Sequence, residues 1–316
     1  MGLSLTPPRL RRPTAAPSPR SRLIGVLGLV RYRFFLYAGL LPYLLGAAWA
    51  WRITGAWDGA VFCGGLGGVA LAVVGVEAFN EYFDSRMGTD RVFNPDDPPP
   101  MSDAILWLGV AGFAGALAIG ACLTARAGWP ILAFAILGGV AAVFYVAPPI
   151  RWAYRGLGEA VIALSYGPCM VLGSLYLQAR LLAWGAFWAS LLPGLLIMAL
   201  AVANAIPDFH QDRLVGKRNL VVRLGRERGV WLYLALAAAA LVVAVAGVAA
   251  GLFPRGCLAA LLAAPLIVAS GRRAFATFTT PRRFVPAIQR IVTAYVVAVA
   301  LFTAAIALQA WLGGAA

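Results

Sequence analysis

Along this chain, apolar runs of roughly twenty residues alternate with short stretches rich in charge, Gly or Pro. A helix rises about 1.5 Å per residue, so roughly 20 apolar residues cross a hydrocarbon layer about 30 Å thick. Runs of this kind fall near residues 34–52, 58–82, 103–124, 128–147, 157–178, 183–206, 229–250, 254–271 and 285–312. Open sheets leave unsatisfied edges in lipid, and the strict alternation of barrel strands is missing. The pattern therefore predicts an all-α, multi-pass transmembrane bundle of about nine helices.

Composition sharpens this picture. With 62% hydrophobic and only 12% charged residues, the chain falls outside the range of soluble domains. Threading nine crossings places every Lys and Arg except Arg52, Arg126, Arg180 and Arg255 on the side of the N-terminus. The positive-inside rule then predicts a cytoplasmic N-terminus in the cell (inner) membrane. The net charge of +14 is spread over loops beside helix ends, which suits topology and anionic lipid, with no nucleic-acid partner. Cys63, Cys122, Cys169 and Cys257 sit singly in apolar runs and read as small packing residues. Residues 1–23 are rich in Pro, Ser and Arg without an apolar core, predicting a disordered basic tail ahead of a membrane domain over 24–316.

Polar residues gather in two places. In "VEAFNEYFDSRMGTD", Glu77, Asn80, Glu81 and Asp84 follow i, i+3, i+4 and i+7 spacing and share one helical face, with Asp90 beyond Gly88. In "NAIPDFHQDRLVGKRNLVVRLG", Asn204, Asp208 and Asp212 repeat at i+4, predicting a second such face, followed by Lys217 and Arg218. Four crossings separate the clusters, so both open toward the same membrane side. A solvated helix end accounts for either cluster alone. Two like-charged clusters on one side instead suggest a shared divalent ion. Mg²⁺ takes oxygen ligands and commonly bridges carboxylates to phosphate. With Arg151, Arg155, Lys217 and Arg218 nearby, the combination forms a receptor for a strongly anionic group, such as the diphosphate of a lipid-soluble isoprenoid.

At these residues the sequence resembles the UbiA superfamily of intramembrane prenyltransferases. "NEYFDSRMGTD" matches the first Asp-rich motif and "DFHQDRLVGKRNLVVRLG" the second. "FYVAPPIRWAYRGLGEAVIALSYGPCMVLGSLYLQ" resembles the branch that uses 1,4-dihydroxy-2-naphthoate. The resemblance implies that Asn80, Asp84, Asp90, Asp208 and Asp212 hold Mg²⁺ and, through it, an isoprenyl diphosphate. It also implies that Lys217 and Arg151 meet the leaving group beside Tyr145, with Arg218, Asn80 and Asn204 as further diphosphate contacts. Asp84, Asp208, Tyr145 and Lys217 form the implied catalytic set. Arg31 or Arg33 is placed to bind an acceptor carboxylate, with snorkelling to lipid phosphate as the alternative. Glu159 matches the acid of "GLGE", as a helix start or as a catalytic group.

The implied reaction is Mg²⁺-assisted departure of diphosphate and capture of the allylic cation by an aromatic acceptor, in menaquinone-type quinone biosynthesis. Glu81 stands where many relatives have Asp. The stretch "RVFNPDDPPPM" lacks the Arg-Pro-Leu pattern of relatives that use 4-hydroxybenzoate, so another phenolic or lipid acceptor remains an alternative. From a different class, a membrane transporter also places polar clusters at helix ends. His210 lies off the Asp208–Asp212 face and is not expected to ligate metal.

Overall fold

The computed structural model describes residues 35–87 and 102–314. The basic tail, Arg31, Arg33, Asp90 and the stretch over 91–101 lie outside the described residues. Among the described residues every regular element is helical. A π-helical turn, Phe35–Leu40, leads into α1 (Leu41–Thr54). There follow α2 (Gly59–Met87), α3 (Asp103–Ala127) and α4 (Pro130–Val146). Next come α5 (Gly158–Ala179), interrupted by a π turn around Pro168, and α6 (Trp184–Ala205). The short helices α7 (Phe209–Leu214) and α8 (Leu220–Leu224) precede α9 (Arg226–Ala249), α10 (Arg255–Thr277) and α11 (Pro281–Gly314).

Seven of these helices are long and apolar enough to cross a membrane: α2, α3, α5, α6, α9, α10 and α11. The two remaining predicted crossings correspond to α4, with 17 residues, and to α1, whose 14 residues are extended by the 6-residue π turn. The protein is an integral membrane protein. Its centre is α6, with 67% of its most apolar stretch buried against 17% for α2 and 22% for α3. Its fully buried Leu192 and Leu196 share one core with Tyr233, Tyr295 and Phe302 of α9 and α11.

Lipid is as apolar as leucine, so helices in a bilayer associate through close approach and interhelical hydrogen bonds rather than hydrophobic transfer. The α1–α5 crossing shows both. A Cβ on Gly46 would overlap the carbonyl oxygen of Val171, and the Ser174 hydroxyl donates to the Tyr43 carbonyl at 2.6 Å. Gly46→Ala therefore pushes backbone against backbone, an overpacking cost of about 1–3 kcal/mol. In detergent it is expected to lower the melting temperature clearly, whereas Gly138→Ala, with nothing within 4 Å of its added carbon, leaves it unchanged or higher. Equal melting of the two variants would contradict this packing.

One expectation is corrected. The i+4 spacing of Asn204, Asp208 and Asp212 predicted one continuous helical face. Pro207 has no amide hydrogen to continue the ladder, so α6 stops at Ala205 and a turn intervenes before α7. Asp208 and Asn204 are exposed while Asp212 is buried, so the three do not share a face.

Candidate active site

The first motif rides on α2, which runs unbroken through Met87. Asn80 and Asp84 therefore stand one turn apart on the same side. Asn80 lines a cavity, and its Oδ1 is buried without a hydrogen-bond partner among the described residues. Beyond Asp84, Arg86 stacks over the Tyr82 ring at 4.3 Å and pairs with Asp103 at 2.5 Å, fastening the end of α2 to the start of α3.

The second motif is built by a compact loop. The Asp212 amide donates to the Asp208 carbonyl at 2.8 Å, closing the first turn of α7. Gly216, at φ +78°, turns the chain back in a conformation that favours glycine, and the Lys217 amide then donates to the Asp212 carbonyl at 2.8 Å. This brings Lys217 Nζ to 3.5 Å from Asp212 Oδ1. The other Asp212 oxygen accepts from Asn219 Nδ2 at 2.6 Å, and Asn219 Oδ1 caps α8 through the Val222 amide at 2.8 Å. Finally the Leu220 amide donates to Glu159 Oε1 at 3.0 Å, docking the loop on the head of α5.

Charge ties the two motifs together. Burial pushes the Asp212 carboxyl above the usual range, against the pull of Lys217 and Asn219. Burial alone would lower Lys217, but Asp212 and then Asp84 outweigh it, and the ammonium is held protonated above its ordinary value. The Tyr154 hydroxyl is raised by burial and by Asp84, and lowered by Lys217 and Arg151. Arg151 and Lys217 lie 5.8 Å and 5.9 Å from the centre of the Tyr154 ring. Tyr145, at the end of α4, feels Lys217, Glu159, Asp84 and Asp212. Asp84 of the first motif and Asp212 with Lys217 of the second thus converge around Tyr154 and Tyr145.

Several predicted residues stand apart. Asp208, Asn204 and Arg218 are exposed, and the Arg218 carbonyl accepts from Arg223 Nε at 2.9 Å. His210 is also exposed. Among the described residues no three or more His, Cys, Asp or Glu side chains gather at one point, and Asp90 lies outside them. Sequence reasoning missed Asn219, whose signal was an Asn just before the apolar run "LVV", an N-cap pattern. Glu159 serves as the loop's anchor: it is 4% exposed, with Oε2 buried and unpartnered. Glu159→Ala leaves the Leu220 amide without its acceptor, at a cost of about 1–3 kcal/mol, and is expected to melt earlier and to bind diphosphate more weakly. A variant that matches the wild type in both would remove this anchoring role.

Below the charged end, α2, α3, α4 and α5 enclose a cavity of about 670 Å³. Its walls are apolar, including Phe113, Phe134 and Leu177, and its polar lining toward the site comprises Asn80, Tyr145, Ser165 and Tyr166. A charged mouth over an apolar chamber suits an amphiphile with an anionic head.

The profile of the UbiA prenyltransferase family matches residues 39–287. The chain belongs to the UbiA family. It is 32% identical over 233 residues to the 1,4-dihydroxy-2-naphthoate octaprenyltransferase of Mycobacterium tuberculosis, covering 70% of this chain and 75% of that protein. It is 24% identical over 220 residues to the 2-carboxy-1,4-naphthoquinone phytyltransferase of Synechocystis, covering 69% and 70%. Among solved structures, digeranylgeranylglyceryl phosphate synthase superposes with a TM-score of 0.64 at 14% identity, over 91% of this chain and 99% of the other. A UbiA homologue from Archaeoglobus fulgidus bound to DMAPP and Mg²⁺ superposes with a TM-score of 0.59 at 18% identity, over 90% and 99%. The fold of this UbiA protein is therefore the family's own.

The donor set is compatible with a hard divalent ion. Asn80 Oδ1 is an orphaned buried oxygen one turn from the Asp84 carboxylate, and Lys217 is held protonated by Asp212 and Asp84 against the effect of its burial. Both Asp212 oxygens have partners in Lys217 and Asn219, so Asp212 would meet an ion only by exchanging one of these contacts.

Proposed function

We propose that this UbiA-family prenyltransferase moves an isoprenyl group from its diphosphate to a 1,4-dihydroxy-2-naphthoate-type acceptor, as a Mg²⁺-dependent step in menaquinone-type quinone biosynthesis. The observation that carries the reading is the convergence of Asp84, Asp212, Lys217 and Arg151 around Tyr154, over the apolar cavity. The named activities of the Mycobacterium and Synechocystis relatives support the naphthoate acceptor, and the DMAPP and Mg²⁺ bound to the Archaeoglobus homologue support the donor and ion.

In this reading Asn80, Asp84, Asp90, Asp208 and Asp212 are the oxygen ligands available to the ion. When bound, Mg²⁺ neutralises charge on the diphosphate as its bond to carbon lengthens. Lys217, kept protonated by its acidic neighbours, offers a fixed cation to the same leaving oxygens, with Arg151 also beside the Tyr154 ring. Asn204 and Arg218 are assigned to the outer edge of the diphosphate, and Arg31 or Arg33 to the acceptor carboxylate. The apolar cavity excludes water, which would otherwise quench the allylic cation. The charged end faces the cytoplasm, following the basic loops.

Purified protein supplied with an isoprenyl diphosphate and dihydroxynaphthoate is expected to release pyrophosphate and form a prenylated ring. EDTA stops both and excess Mg²⁺ restores them. A transporter would release no pyrophosphate, and turnover persisting in EDTA would remove the metal from the scheme.

A further inference from the structure

Where α9 begins, α10 ends and α11 begins, the protein carries cations that nothing in it answers. From Arg226 to the end of the chain Glu227 is the only acid, and apart from Arg255 every arginine there lies toward this end. Arg226 is engaged: its Nη1 donates to the Thr279 carbonyl at 3.2 Å, and its guanidinium lies 5.6 Å from the Phe209 ring of α7. Arg228, Arg272, Arg273, Arg282 and Arg283 are not. None has an ion pair or a side-chain hydrogen bond among the described residues, and all but the half-buried Arg273 are exposed.

The corner that holds them is rigid. The Tyr233 and Ser270 hydroxyls lie 3.2 Å apart, and Ser270 donates to the Ala287 carbonyl at 2.8 Å, so buried hydroxyls tie the three helices together. Nearer the end of the bundle the Trp231 and Phe275 rings pack at 4.8 Å between α9 and α10, with Trp231 62% exposed. Arg228 is one turn from Trp231 and Arg272 one turn from Phe275, each on the same helical side as its ring. α9 leaves this end and α10 returns to it. Arg228 therefore stands outside the aromatic pair and Arg272 inside it, about 7.5 Å before the end of α10.

Depth decides what such a face takes. A guanidinium on the lipid side of a spanning helix is costly unless its head reaches the phosphate level and meets an anion there. Exposed tryptophan favours that same level. A zwitterionic headgroup brings its own cation, which offsets its phosphate, whereas a headgroup with net negative charge answers two guanidiniums. Free phosphate would leave the two rings uncovered; a lipid brings acyl chains to cover them.

We propose that the face formed by Arg228, Trp231, Arg272 and Phe275 binds one anionic diacyl phospholipid, its phosphate between the two guanidiniums and an acyl chain laid along the rings. Arg282 and Arg283 extend the positive field toward the headgroup. The site is separate from the apolar cavity, and Arg226 links its corner to α7, which carries Asp212. It does not depend on the prenyl-transfer reading, because binding is measured without turnover.

The test is native mass spectrometry of detergent-purified protein titrated with phosphatidylglycerol or phosphatidylcholine of equal chain length. It compares wild type, Arg228→Gln, Arg272→Gln and the double variant, with Arg213→Gln, an exposed arginine of α7, as control. The wild type is expected to hold one phosphatidylglycerol about tenfold or more tightly than phosphatidylcholine. Each single variant loses part of this preference and the double variant nearly all of it, with the melting temperature in neutral detergent unchanged, while Arg213→Gln keeps it. Equal affinity of the wild type for the two lipids would overturn the site. So would a double variant that keeps the preference, or an Arg213→Gln loss as large as the double variant's. Loss of folded protein in both single variants would equally overturn it, because the guanidiniums would then serve the fold rather than a lipid.

Discussion

Asp84→Asn is expected to abolish prenyl transfer, a loss of about a hundredfold to a thousandfold or more, while the protein still inserts, purifies and melts like the wild type. Asp84 is the first-motif carboxylate whose charge reaches both Lys217 and Tyr154, so it acts on the second-motif loop from a helix distant in the chain. Asparagine keeps the shape and removes the charge, which separates electrostatics from packing. Asp208→Asn is expected to act in the same way despite its exposed position at the start of α7, because it belongs to the same acidic motif as Asp212. Near-normal turnover in either variant would remove that residue from the metal set.

Lys217→Ala gives the second large effect, in two separable parts. The Michaelis constant for isoprenyl diphosphate rises by about tenfold to a hundredfold, the worth of a charge-assisted contact, while that for the acceptor stays nearly constant. The ligand-free protein also loses stability, on the order of 3–5 kcal/mol, because Asp212 is left buried with an unpaired charge. Lys217→Ala combined with Asp212→Asn removes both members of the pair and recovers much of the stability but not the diphosphate affinity. A weakened acceptor with an unchanged donor would show that the two substrates are placed the wrong way round.

Much of this was legible in the sequence because lipid imposes a single dominant pattern. Long apolar runs gave the helices within a few residues, and the i, i+4 spacing of Asn80 and Asp84 survived intact because α2 contains no proline. The second motif was misjudged for the opposite reason. Pro207 ends α6, so Asp208 and Asp212 are positioned by a loop whose geometry depends on Gly216 and on contacts with Glu159 and Asn219. The contact with Glu159 joins residues 61 positions apart, and periodicity within one segment carries no trace of it. Arg151 was expected near the leaving group from the resemblance. What sequence could not reveal was its left-handed backbone at φ 53°, which accompanies its approach to Tyr154. The cavity was equally hidden, since it depends on how helices distant in sequence pack around it.

The central claim is that the two acidic motifs act as one site through a shared ion. Isothermal titration with a non-reactive isoprenyl thiodiphosphate tests this most directly, in wild type, Asp84→Asn, Asp208→Asn and the double variant, each with Mg²⁺ and with EDTA. Strong binding is expected only in wild type with Mg²⁺, with the double variant little worse than either single one, because residues serving one ion are not additive. Binding indifferent to EDTA, or losses that simply sum across the two motifs, would contradict a shared metal.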